Sequence, residues 1–258
     1  MMKKLSVENL APVYFTVALF VIWEAACRLF KIDTFILPAP TEIFAAMVKY
    51  WWPLLKNSFV TLWTTMAGFT IAVVFGIALG VVVGWSRTIY RGLYPVMIGF
   101  NSVPKVAVVP ILIMWFGIGE VPAILTAFLI SFFPIVVNVA TGLATTEPEL
   151  EDVLRALGAS KLDIMRKVGI PRTGPYLFGA LKVGITLAFV GAVVSETIGA
   201  NAGVGHLMVQ AGSNFQMPLV FAGLISLAIQ GILMYAIFAV FERRMVAWAF
   251  RSSQSAGG

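Results

Sequence analysis

Six long apolar runs constrain this chain more than any other feature. They are Leu10–Phe30, Phe59–Gly84, Tyr94–Phe116, Glu120–Ala144, Pro175–Gly199 and Pro218–Phe241. About 20 apolar residues in a helix cross the roughly 30 Å hydrocarbon core of a bilayer, and each run is long enough. A membrane admits only structures that satisfy their own backbone polar groups, so runs of this length read as helices. The expectation is an all-α, polytopic membrane protein with six transmembrane helices, forming one transmembrane domain over residues 1–258. Composition agrees: 60% of the 258 residues are hydrophobic and 12% are charged. A soluble domain of this size cannot hide that much apolar surface. The numbers exclude a cytosolic enzyme and a disordered regulator. The single cysteine, Cys27, excludes an intramolecular disulfide scaffold.

The N-terminus resembles a signal peptide at first sight, with Lys3 and Lys4 before an apolar run. Leu10–Phe30 is too long for a signal core. Ala25-Ala26-Cys27 has Trp23 and Glu24 where a lipoprotein cleavage site needs small or aliphatic residues. The run is read as a retained first helix.

The net charge is +6. In a soluble protein this suggests nucleic acid; here it is read through the side on which the basic residues fall. Lys3, Lys4, Arg87, Arg91, Arg155, Lys161, Arg166, Lys167, Arg172, Arg243, Arg244 and Arg251 share one side, which is 12 of 18. Lys31, Lys49, Lys56 and Arg28 belong to the other, and Lys105 and Lys182 lie inside predicted spans. This excess marks the first side as cytoplasmic, with both termini inside and no nucleic-acid partner.

Two connections are long. In residues 31–58 the prolines of Leu37-Pro38-Ala39-Pro40 impose an extended turn. Thr41 then suits the cap of a short amphipathic helix to about Tyr50, and with Trp51 and Trp52 this segment fits the outer interface. Residues 145–174 form the one sizeable polar stretch between spans. Glu147, Glu149, Glu151 and Asp152 complement a helix start, and Leu150, Val153, Leu154 and Leu157 recur at helical spacing. Gly158 interrupts the pattern, Lys161–Lys167 reads as a second short helix, and Pro171 is expected to stop it. A merely solvated loop needs no such amphipathic pattern, so the segment reads as a docking surface for a partner.

Chemistry of its own is missing. There is no G-x-x-x-x-G-K-[ST] loop, G-x-S-x-G elbow or H-E-x-x-H pattern. One histidine, His206, and one cysteine do not make a common zinc site, and no cofactor is implied. Charged or amide groups within spans are costly and call for a role. Lys182 is expected to snorkel to the nearer interface, and Glu24 and Glu196 to reach the outer headgroups. Lys105, one turn after Asn101 and between loosening prolines at 104 and 110, is a candidate with Asn101 and Glu196 for a translocation path. Gly68, Gly76, Gly80 and Gly84 form a small-residue stripe for close helix approach.

The loop Asp152-Val153-Leu154-Arg155-Ala156-Leu157-Gly158-Ala159-Ser160, with Val168-Gly169-Ile170-Pro171 after it, resembles the E-A-A-x-x-x-G…L-P loop of permease subunits of bacterial ABC importers. Asp152, Val153-Leu154 and Ile170 stand where that family has Glu, an Ala pair and Leu. Leu37–Pro40, Pro104–Ala107 with Pro110, Trp115–Gly119 and Gly199–Gly205 are similar to the nitrate/sulfonate/taurine branch. The resemblance implies a type I importer fold in the bacterial inner membrane. It also implies a second permease chain, most simply a homodimer, two cytoplasmic ATP-binding subunits and a periplasmic substrate-binding protein. Asp152, Arg155, Leu157, Gly158, Ala159, Ser160 and Pro171 are then the expected ATPase-coupling residues. The competing reading is a stand-alone secondary transporter or channel.

Overall fold

A computed structural model describes residues 7–145 and 148–245. Lys3, Lys4, Glu147 and Arg251 lie outside the described residues. The described residues are helical, with no strand among them. Eleven helices follow in order: α1 (Val7–Leu29), α2 (Pro40–Lys49), α3 (Trp51–Gly84), α4 (Arg87–Ser102), α5 (Val109–Phe116), α6 (Glu120–Ala144), α7 (Pro148–Ala156), α8 (Lys161–Ile164), α9 (Ile170–Gly199), α10 (Val204–Ser213) and α11 (Met217–Met245).

Helix α6 is the axis of the fold, packed between α3 on one side and α9 on the other. Ala127, Ile135 and Val139 of α6 meet Phe69 and Ala72 of α3 and Ile185, Ala188 and Ala192 of α9 in one buried cluster. The glycine stripe permits this approach. A Cβ on Gly80 would stand 2.7 Å from Val139 Cβ and 3.0 Å from the Val136 carbonyl oxygen. Replacing Gly80 with Leu is therefore expected to force α3 and α6 apart at a cost of roughly 1–3 kcal/mol. A lowered unfolding midpoint of the purified protein in detergent checks this; an unchanged midpoint contradicts it.

Helix α1 lies outside this core. Its Tyr14, Phe15, Leu19, Val21 and Ile22 are exposed, as a lipid-facing helix requires. Trp23 anchors it near Phe221 of α11, with ring centroids 6.1 Å apart. Helix α2 packs one face on the bundle. It buries Ile43 and Ala46 against Leu207, Ala211, Leu219 and Ala222 of α10 and α11. Thr41 is not its cap. Ala39 occupies that position, and its amide donates to the Glu42 carboxylate at 3.1 Å. The Thr41 amide and hydroxyl instead donate to Glu24, at 3.1 and 3.0 Å.

Four helical runs among the described residues are long and apolar enough to cross a membrane, in α3, α6, α9 and α11. The predicted span Tyr94–Phe116 is not one straight helix. It is α4, a 3₁₀ turn (Lys105–Val108) and α5, bent by 68°. Pro104 and Pro110 bracket the turn and lack the N–H groups that a continuous ladder requires. Gly117 and Gly119, with φ of 80° and 152°, then join α5 to α6 in the expected tight hairpin.

Pro171 also acts differently from the expectation. It does not stop the helix but sits in the first turn of α9. A π turn (Met165–Gly169) precedes it, and the Ile170 amide donates to the Met165 carbonyl. The extra residue in that turn relieves the clash that a proline makes with the preceding α-turn. Helicity thus continues from Lys161 to Gly199. Helix α10 is an addition to the six predicted spans; at 10 residues it is too short to cross.

Candidate functional site

Two places carry polar structure that an apolar bundle does not need. The first is the elbow between α7 and α8. Helix α7 ends on Gly158, whose φ is +84°. The Ala159 amide donates to the Leu154 carbonyl at 3.0 Å and the Gly158 amide to Arg155 at 2.9 Å, which closes the last turn. Two residues on, a capping box starts α8. The Asp163 amide donates to Ser160 Oγ at 3.2 Å, and the Ser160 amide donates to Asp163 Oδ2 at 3.2 Å. The bonds from the Ser160 hydroxyl and amide hold the Asp163 carboxyl below the usual carboxylate range. The elbow is therefore built by local rules on both sides. Its tip shows apolar surface: Leu157 is 78% exposed and Val153 57%.

The structure divides the residues expected to couple to an ATPase. Leu157, Gly158 and Ala159 form the tip, and Ser160 caps α8. Asp152 and Arg155 face the bundle instead. With Ser86, Arg87 and Lys161 they line a cavity of about 300 Å³ between the elbow and the end of α3. Lys161 lies over the Trp85 ring, 5.4 Å from its centroid. Pro171 belongs to α9 and is not part of the tip.

The second place is a buried polar knot where α3, α9 and α10 meet. Glu196 does not reach the headgroups; it is 2% exposed. Its Oε2 accepts from the Thr61 hydroxyl at 2.9 Å and from the Gly205 amide at 3.0 Å. Thr61 Oγ1 in turn accepts from the Val204 amide at 2.9 Å, and Asn57 Oδ1 accepts from the Gly203 amide at 2.9 Å. Three side chains from two long helices thus satisfy the free amides that open α10. Asn57 and Thr61 were not singled out from sequence. The available signal was Gly203-Val204-Gly205 after a span that ends in a glutamate.

Asn101 and Lys105 come together but do not join Glu196. Lys105 Nζ donates to the Asn101 carbonyl at 2.7 Å and to its Oδ1 at 3.1 Å, 5.5 Å from the Phe133 ring centroid. This places Lys105 at the break between α4 and α5, not midway along a helix. Lys182 pairs with Glu242 of α11 at 2.5 Å. Glu24 bonds Arg28 and Thr41.

Residues 72–247 match the family described as binding-protein-dependent transport system inner membrane component, and the chain belongs to that family. It is 31% identical over 250 residues to the formylaminopyrimidine transport permease protein ThiX of Halalkalibacterium halodurans, covering 95% of this chain and 98% of that one. Identity is 33% over 235 residues with the riboflavin transport system permease protein RibX of Chloroflexus aurantiacus, covering 89% and 87%. With the taurine transport system permease protein TauC of Escherichia coli it is 27% over 237 residues, covering 89% and 86%. The fold is similar to that of an inward-facing MetNI methionine ABC transporter chain, with TM-score 0.64 and 22% identity over 76% of this chain and 98% of that chain. The protein is a multi-pass membrane permease subunit of an ABC importer, in the nitrate/sulfonate/taurine branch.

Proposed function

We infer that the α7–α8 elbow is the coupling helix through which a separate ATPase drives this permease. The observation that carries this reading is the exposed apolar tip at Leu157, set between a glycine-closed helix end and a capping box. A short rigid segment with small residues at its bend fits a groove on a partner. The excess of basic residues on the side of this loop supports a cytoplasmic elbow and cytoplasmic termini. The assembly is two copies of this chain, two ATP-binding subunits that hydrolyse ATP, and a substrate-binding protein on the opposite face. ATP-driven closure of the ATPase pair moves the elbows together and opens the path outward; hydrolysis resets it. Residues 1–258 act as one domain, and Asn101 and Lys105 belong to the path.

The names of the relatives support a polar organic cargo for this chain, in the size range from taurine to riboflavin. The deciding experiment is reconstitution with its ATPase and binding protein in liposomes. Uptake that requires ATP and the binding protein is expected. Ion-driven flux from the purified chain alone would overturn the reading in favour of a secondary transporter or channel.

A further inference from the structure

The carboxylate that caps α10 has a second oxygen to spare. Glu196 Oε2 takes both hydrogen bonds described above, whereas Oε1 is buried and has no partner. The Thr64 hydroxyl lies within reach of both the carboxyl and the Thr61 carbonyl, the latter at 3.1 Å, and its one proton serves one of them at a time. A buried carboxylate oxygen without a donor is costly, so something must compensate it. The Gly203, Val204 and Gly205 amides are already engaged.

Glu196 also lines a cavity of about 190 Å³ between α3, α6 and the α9–α10 connection. Its other polar walls are Thr64, Glu120 and Asn201, and none of its lining residues is basic. Two carboxylates and two neutral oxygen-bearing side chains line a space with room for an ion and several waters. Such a donor set is wrong for an anion. It suits a compact positive charge that gives several hydrogen bonds or takes several oxygen ligands.

We propose that this cavity is a binding site for a small cation, either a primary ammonium group or a monovalent metal ion, held by Glu196 Oε1 with Thr64, Asn201 and Glu120. The site is independent of the coupling elbow. Its occupant stiffens the junction of α3, α9 and α10 by neutralising the carboxylate at its centre.

The test uses the full-length chain in detergent. Thermal unfolding is followed in sodium chloride, methylammonium chloride and N-methyl-D-glucamine chloride at matched ionic strength. A saturable rise in midpoint with methylammonium or sodium, absent with the bulky cation, is expected. A response to methylammonium alone identifies an ammonium head, and a response to sodium alone a metal ion. Glu196→Gln keeps the shape and both Oε2 bonds, and should raise the half-saturating concentration at least about tenfold. Equal shifts in all three salts, or an unchanged half-saturation in the variant, overturn the proposal and leave a proton as the compensating charge. If Glu196→Gln does not fold, Asn201→Leu decides, because Asn201 is exposed on the connection and its replacement blocks the cavity. Saturable binding that survives Asn201→Leu overturns the proposal. The ATP dependence of uptake is a separate measurement, so failure here leaves the permease reading intact.

Discussion

Gly158→Asp is expected to reduce ATP-driven uptake at least about tenfold while the bundle stays folded, the size of one lost charge-assisted or well-packed contact in the drive. Gly158 has φ +84° and no atom within 4 Å of where a Cβ would stand. Strain is thus the one local effect of a side chain there, about 1–3 kcal/mol and confined to an exposed elbow. The larger effect is on docking. The new side chain carries charge into a tip whose surface is Leu157 and Val153, and a partner groove that fits this tip must desolvate it. Two measurements check the result. Co-purification of the ATPase should fall, and the unfolding midpoint of the permease alone should hold. Retained uptake would remove the elbow from the coupling path. A collapsed midpoint would show that the loop is structural.

Gly203→Ala should have the largest effect on the fold itself. Gly203 has φ +105°, and a Cβ there would overlap the carboxyl group of Glu196. Glu196 cannot yield without giving up Thr61 and the Gly205 amide, both buried. The expected cost is about 3 kcal/mol or more, since strain and unsatisfied polar groups act together. The check is a fall in the unfolding midpoint, with faster amide exchange at the start of α10 than elsewhere in the bundle. A midpoint within error of the parent would mean that the knot can rearrange.

The long helices were legible because a bilayer leaves the chain few choices. Residues Glu120–Ala144 form α6 with the predicted bounds, since Gly119 and Thr145 flank an unbroken apolar run. The elbow was legible for a different reason: capping is local, and Gly158, Ser160 and Asp163 carry their own instructions. What escaped depends on tertiary partners. The prolines at 104 and 110 signalled a weak ladder, but the 68° bend needs the packing of α4 and α5 against α6. Pro171 read as a stop because a π turn leaves no periodic trace. Glu196 read as a headgroup residue because its partners, Thr61 and Gly205, lie 135 and 9 positions away. The partner of Lys182 escaped for the same reason, because Glu242 lies in another helix.

The π turn before Pro171 has a mechanical consequence. By keeping the chain helical from Ser160 to Gly199 it makes a single lever of about 58 Å, with the capping box at one end and the Glu196 carboxylate near the other. A tilt of about 5° around its midpoint would carry each end by about 2.5 Å in opposite directions. That distance is close to a hydrogen bond's length, so a tilt of this size, were it carried past Pro175, would be enough to break or make the bonds that hold α10.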